Sequence, residues 1–149
     1  MFRIVKGDLL KLANKGYFDA IAHGCNCFCQ MGAGIALPIK KQFPLAYEAD
    51  CETEPGSRSK LGTFTKAYES PTVYNLYTQH SYSRSGVNFE PWALRSALER
   101  VCHDMGNVGH LGVPLIGGGL AKGDPEEIKA IMKEAAEKHP NFHITLVLL

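Results

Sequence analysis

The chain has 149 residues, 45% of them hydrophobic and 21% charged, with a formal net charge of +1. That size and balance suit one domain over residues 1–149, and they give neither a broad basic field for nucleic acid nor an acidic tail. No apolar run approaches a membrane span and no secretory leader is visible, so no membrane partner is expected; five cysteines, an odd number, point to reduced thiols and a cytoplasmic location.

In chain order, "FRIVKG" reads as a first strand stopped at Gly7-Asp8, and "LLKLAN" as a short helical or irregular piece. "DAIAHGCN" reads as a buried strand. "GIALPIKKQFP" reads as a helix that starts just after the glycines, holds Pro38 near its first turn and ends at Pro44. "LAYEADCE" suits a second helix. "SRSKLGTFTKAYES" and "PTVYNLYTQ" are β-branched and aromatic and read as two strands. Leu94, Leu98, Val101, Cys102 and Met105 then recur at helical spacing, with Asn88 as the cap and Gly106 as the stop. "HLGVPLIG" is a strand that feeds a glycine cluster. "DPEEIKAIMKEAAEKHP" has the marks of a helix start, with Asp124 at the cap, Pro125 next and Glu127 three residues on. "FHITLVLL" is apolar enough for a central strand. Strands alternate with helices, which implies an α/β sandwich with a largely parallel sheet.

Two strand-to-helix junctions share one grammar: "HGCNCFCQMGAGIA" (residues 23–36) and "PLIGGGLAKGDPEE" (114–127). Glycine admits positive φ and lets backbone N–H groups approach a ligand without a Cβ in the way. Successive N–H groups of that kind favour an anion such as phosphate. Neither junction has the lysine of a nucleotide-triphosphate loop, and neither fits G-x-G-x-x-G with an acidic ribose clamp. Two such loops on one sheet edge suggest a diphosphate held between two backbones.

At this point the chain resembles a macrodomain, the ADP-ribose-binding module. Four motifs carry the resemblance in order: "VKGDL", "HGCNCFCQMGAGIALPIKKQFP", "VYNLYTQ" and "LIGGGLAKGD". The second is similar to the subgroup that holds terminal ADP-ribose protein glycohydrolase and the ADP-ribose-1″-phosphate phosphatases. The fold implied is a three-layer α/β/α sandwich around a mixed sheet, and the implied partner is ADP-ribose, a derivative of it, or an ADP-ribosylated macromolecule.

The resemblance implies a role for each matching position. Asp8 matches the acid that accepts from the adenine amino group, although a turn or helix-cap aspartate also suits Gly7-Asp8-Leu9. Asn26 matches a position along the distal ribose, or else holds its own turn. Met31, Gly32, Ala33, Gly34 and Ile35 match the first phosphate loop; Ile116, Gly117, Gly118, Gly119 and Leu120 match the second. Thr78 and Gln79 fall beside the ligand. Leu9, Ile21 and Phe28 are candidates to pack near the adenine, with core burial the competing role for Ile21.

His23, Cys25, Cys27 and Cys29 have zinc-ligand types, but alternate residues of an extended segment stand about 6.5 Å apart on one side. One tetrahedral ion would need a sharp fold-back and a second knuckle, so no metal is expected, and no cofactor. The cysteines read instead as small, soft filling beside the loop.

In the glycohydrolase branch a lysine follows the strand of the third motif and bonds covalently to the distal ribose. Gln79 stands there, and Ala121 stands where that branch has an acid. Glutamine cannot form a Schiff base. What remains resembles the phosphatase branch, which implies hydrolysis of a group on the distal ribose, foremost a 1″-phosphate. Asp124, His23 and His80 are the candidates to orient water or move a proton. For His23 the competing role is a core histidine, and for Asp124 a helix cap. Two further readings stay open: a binder without turnover, and a lysine-independent hydrolase acting on ADP-ribosylated targets. A nucleic-acid module would rest on Tyr82 and Arg84 of "QHSYSRSG", where a polar lid over the ligand is the simpler reading.

Overall fold

The computed structural model describes residues 1–82, 86–119 and 121–149. Arg84 and Leu120 therefore lie outside the described residues, as do the roles expected of them. Six strands form one sheet in the order β1-β6-β5-β2-β4-β3. They are β1 (Phe2–Lys6), β2 (Ala20–Cys25), β3 (Phe64–Ala67), β4 (Thr72–Tyr77), β5 (Gly109–Val113) and β6 (Phe142–Leu148). Every neighbouring pair is parallel except β3 with β4, so the sheet is mixed and largely parallel, as expected.

Helices cover both faces. On one face α1 (Leu9–Asn14), α2 (Ala36–Gln42) and α3 (Pro44–Cys51) bury Leu10, Ile39 and Ala46 against Ile21, Val73 and Val147. On the other, α4 (Pro91–Asp104) and α5 (Pro125–Glu137) bury Leu94, Leu98, Ile128 and Met132 against Leu76, Leu111, Ile144 and Leu146. The period-2 alternation of strand side chains explains the split, since Ala20 and Ala22 belong to the second face and Ile21 to the first.

The helix boundaries follow local chemistry. Asp8 caps α1, its carboxylate accepting from the N–H groups of Leu10 and Lys11. Asp124 caps α5, accepting from Glu126 N–H at 3.0 Å, with Pro125 next. Gly106, at φ +76, closes α4: its N–H donates to His103 O, and Asn107 N–H donates to Cys102 O. That pair of bonds is a Schellman closure, and positive φ is what makes glycine suit it. The start of α4 differs from expectation. Glu90, not Asn88, occupies the cap position, because Pro91 sets the first helical φ and holds the residue before it extended. The 57–70 stretch also holds less strand than its composition suggests: Arg58–Lys60 is a 3-10 turn, and the strand itself begins only at Phe64.

The chain leaves β2 towards α2 on one face and leaves β5 towards α5 on the other, although β2 and β5 are neighbours. Their exit loops therefore diverge and open a crevice at the carboxyl edge, the usual place for a ligand in such a sheet.

Candidate functional site

A cleft of about 560 Å³ occupies that crevice. From the first loop, Asn26, Met31, Gly32, Ala33, Gly34 and Ile35 line it; from the second, Ile116, Gly117, Gly118 and Gly119 do. Gln79, just past β4, adds a polar wall. The two glycine loops thus share one cleft.

Each loop spends some of its N–H groups on itself and keeps others free. In the second, Ile116 donates to Pro114 O and Gly118 to Leu115 O, while Gly123 and Lys122 donate back to Gly117 O and Gly119 O. Among the described residues nothing accepts from the N–H of Gly117 or Gly119, nor from those of Gly32, Ala33, Gly34 and Ile35. Backbone donors left unpaired by protein seek water or a ligand acceptor, and six of them on one cleft suit an anion. Gly117 has φ +78, and a Cβ there would collide with the Phe89 ring. A Cβ at Gly32 or Gly119 would meet nothing within 4 Å.

The first loop is braced from behind. Asn26 Oδ1 accepts from Phe28 N–H at 2.8 Å, and its Nδ2 donates to Gln30 O at 2.9 Å, so this side chain holds its own turn at the cleft wall. Lys60 is buried and places its three ammonium protons on Cys27 O (2.8 Å), Thr53 Oγ1 (2.7 Å) and Glu54 O (3.2 Å). A buried ammonium is tolerable only when so satisfied. Cys29 stands at φ +60 with its thiol on Asp50 O at 3.1 Å.

His23 lies in the core rather than at the cleft. Its side chain is fully buried on the α1–α3 face, with Nε2 2.7 Å from Asn75 Oδ1. The Asn75 amide nitrogen donates to Ala46 O and Thr65 Oγ1, so Nε2–H is the donor to Asn75 and the ring is neutral. Desolvation pulls its pKa down to about 4, against a smaller opposing pull from Asn75. The chain of bonds continues from Thr65 to the Tyr77 hydroxyl (3.0 Å) and on to Asp50 Oδ1 (2.7 Å). Burial raises the pKa of Asp50, Tyr77 and Cys25 alike. A thiol so held is protonated and a poor nucleophile.

The other candidates divide similarly. His80 donates from Nε2 to Gly56 O at 2.9 Å, behind the first loop. Asp124 is exposed at its cap, outside the cleft lining. Leu9 and Ile21 are core residues beneath the site, and Asp8 keeps one carboxylate oxygen free of the cap. Thr78 is buried, and its Oγ1 has no partner among the described residues; it lies behind Gly24, where a Cβ would meet it at 2.9 Å. Among the described residues no three His, Cys, Asp or Glu side chains group as metal ligands. His23 and Cys25 are spent on core contacts, and Cys29 bonds to α3. No described helix is long and apolar enough to cross a membrane.

The structure adds cleft residues that the motifs did not single out: Gln30, Pro114, Leu115 and, at the rim, Tyr82. Of these only Tyr82 had a signal, as an aromatic in a polar loop. Lys60 had none, because its burial comes from contacts with distant segments.

No protein-family model matches the chain. It is 36% identical over 149 aligned residues to the "uncharacterized 17.5 kDa protein in tk-vs intergenic region" of Enterobacteria phage T4, covering 91% of this chain and 90% of that one. A shorter stretch of 66 residues is 38% identical to an ADP-ribose 1″-phosphate phosphatase of Debaryomyces hansenii, covering 41% of this chain and only 37% of the phosphatase. Among solved structures, the macrodomain of Mycobacterium tuberculosis DarG superimposes with a TM-score of 0.79 at 22% identity, covering 100% of this chain and 98% of that one. Thermosipho africanus DarTG in complex with ADP-ribose gives 0.76 at 17% identity, covering 99% and 42%.

Proposed function

From the premise that the chain has the macrodomain fold and belongs to one family with the phage T4 17.5 kDa protein, we propose that residues 1–149 form one domain that binds ADP-ribose or an ADP-ribose derivative. One observation carries this reading: two glycine loops from neighbouring strands line a single cleft, and six of their N–H groups have no acceptor among the described residues. A diphosphate offers many acceptor oxygens and two charges to such donors.

The sheet order lays out the rest of the molecule. Asp8 follows β1, Leu149 follows β6, residues 114–119 follow β5, residues 26–35 follow β2, and Gln79 follows β4. Four inter-strand steps of about 4.8 Å set these five points across roughly 19 Å. With the diphosphate over β5 and β2, the adenine lies towards Asp8, whose free oxygen accepts from the amino group. The distal ribose lies towards Asn26 and Gln79. The similarity to an ADP-ribose 1″-phosphate phosphatase and to a structure holding ADP-ribose supports the same ligand.

A calorimetric titration tests this. ADP-ribose binds more tightly than ADP, and ADP more tightly than AMP. Equal affinity for ADP-ribose and AMP removes the reading.

The local phosphatase similarity favours a second reading, hydrolysis of a 1″-phosphate. Fixing both phosphates and the ribose would supply proximity, and loop N–H groups would receive the developing charge. Asp124, the cap of α5, is the acid nearest in sequence to the glycines of the second loop. Phosphate release from ADP-ribose-1″-phosphate, compared with an Asp124→Ala variant, tests this reading; no release above a protein-free control excludes it. Incubation with an ADP-ribosylated protein or oligonucleotide tests the lysine-independent alternative in the same way.

A further inference from the structure

Resting on that binding reading, we infer that the cleft ends beyond the distal ribose in a stacking ledge, built on Tyr82, that takes a planar aromatic ring joined at C1″. Tyr82 lines the cleft and is 59% exposed. A lone exposed tyrosine is ordinary, but this one is backed by a fixed stack. Phe28 packs edge-to-face with Tyr82 at 5.8 Å and with His80 at 4.9 Å. Phe28 is itself fixed by its N–H bond to Asn26. His80 is fixed by its bond to Gly56 O, and Gly56, at φ +82, turns close under the Phe28 ring.

The geometry leaves a stacking surface. In an edge-to-face pair, either the Phe28 edge meets one face of Tyr82 or the Tyr82 edge meets Phe28. In both cases at least one Tyr82 face is uncovered by Phe28, and the exposure of the residue agrees. The position follows from the strand order: Tyr82 comes just after β4, on the side of the loops away from Asp8. A linear ligand with its adenine at β1 and its diphosphate over β5 and β2 therefore reaches this ledge with whatever its distal ribose carries. Among the described residues that line the cleft with it, Gln79, Gln30 and Asn26 supply amide side chains. A flat aromatic face selects for a ring face over an alkyl chain, since stacking on an aromatic needs a π-face.

The test uses two ADP-ribose ethers at C1″, one benzyl and one cyclohexylmethyl. These groups match in size and differ in planarity. Calorimetry on the full chain reads the ratio of their dissociation constants, so any loss common to both cancels. The wild-type protein binds the benzyl ether at least about five-fold more tightly, the low end of stacking on one aromatic. The preference persists in Tyr82→Phe and falls to about one in Tyr82→Ala. Equal binding of the two ethers by the wild-type protein, or a preference that survives Tyr82→Ala, overturns the ledge while leaving the binding reading intact. Failure of ADP-ribose itself to bind fails the binding reading and the ledge with it.

Discussion

Acidification separates a core histidine from a catalytic one at position 23. In the folded protein His23 is neutral, fully buried and bonded to Asn75, with a pKa of about 4 against an ordinary value of 6.5. Between those two values the unfolded chain binds a proton that the folded protein refuses. Stability is therefore full above pH 6.5 and is lost as pH falls towards 4, below which both states are protonated. At about 1.36 kcal/mol per pH unit, the loss from this one group is about 3 kcal/mol. Asp50 acts in the opposite direction, because its folded pKa is raised by burial, so the wild-type curve alone does not isolate His23. His23→Gln keeps a donor for Asn75 and removes the titration. Urea unfolding of both proteins from pH 7 to pH 4 gives two curves whose difference falls by about 3 kcal/mol over that window. Parallel curves would refute the burial of a neutral ring. Because the proton is excluded by desolvation, this same ring is unable to serve as an acid in the cleft near neutral pH.

Other perturbations separate bracing from ligand contact. Gly117→Ala adds a Cβ at φ +78 against the Phe89 ring, and costs roughly 2–4 kcal/mol by backbone strain and overpacking; chemical denaturation reads the loss, and a shift under about 0.5 kcal/mol contradicts the loop geometry. Gly119→Ala meets open space, so its melting temperature is unchanged while its affinity for ADP-ribose falls as a methyl enters the cleft; unchanged affinity would place the ligand elsewhere. Lys60→Met fills the same volume but removes the ammonium bonds to Cys27 O, Thr53 Oγ1 and Glu54 O, lowering stability by roughly 1–3 kcal/mol; a variant as stable as the wild-type protein would show that the ammonium does not brace the loop. Asp124→Ala loses a helix cap worth about 1 kcal/mol, and an unchanged denaturation midpoint would mean that the Glu126 N–H bond contributes nothing.

The parts of this molecule that were readable from sequence are those set by local chemistry. The apolar run Ala20-Ile21-Ala22 marked a buried strand, and the Asp124-Pro125 pair marked a helix start because capping needs only neighbours. The glycine clusters were legible as loops that open onto a cleft for the same reason, since positive φ and missing Cβ atoms are local properties. Side chains whose surroundings come from far along the chain were not. Lys60 sits in a stretch that reads as strand, and only contact with Cys27, 33 residues away, makes it a buried anchor. Asn88 has the right side chain for a cap, yet Pro91 fixed the boundary two residues later. His23 was chemically plausible at a strand end, but the pleat turns it inward to Asn75, and spacing alone does not say which side of a strand meets solvent.

In the proposed binding mode two loop backbones grip one diphosphate. Amide NMR shifts of the isotope-labelled protein test it most directly as ADP-ribose is added. The N–H signals of Gly32, Ala33, Gly34 and Ile35 should move together with those of Gly117 and Gly119, along one saturation curve. Movement confined to one of the two loops, or two curves with different midpoints, would contradict it.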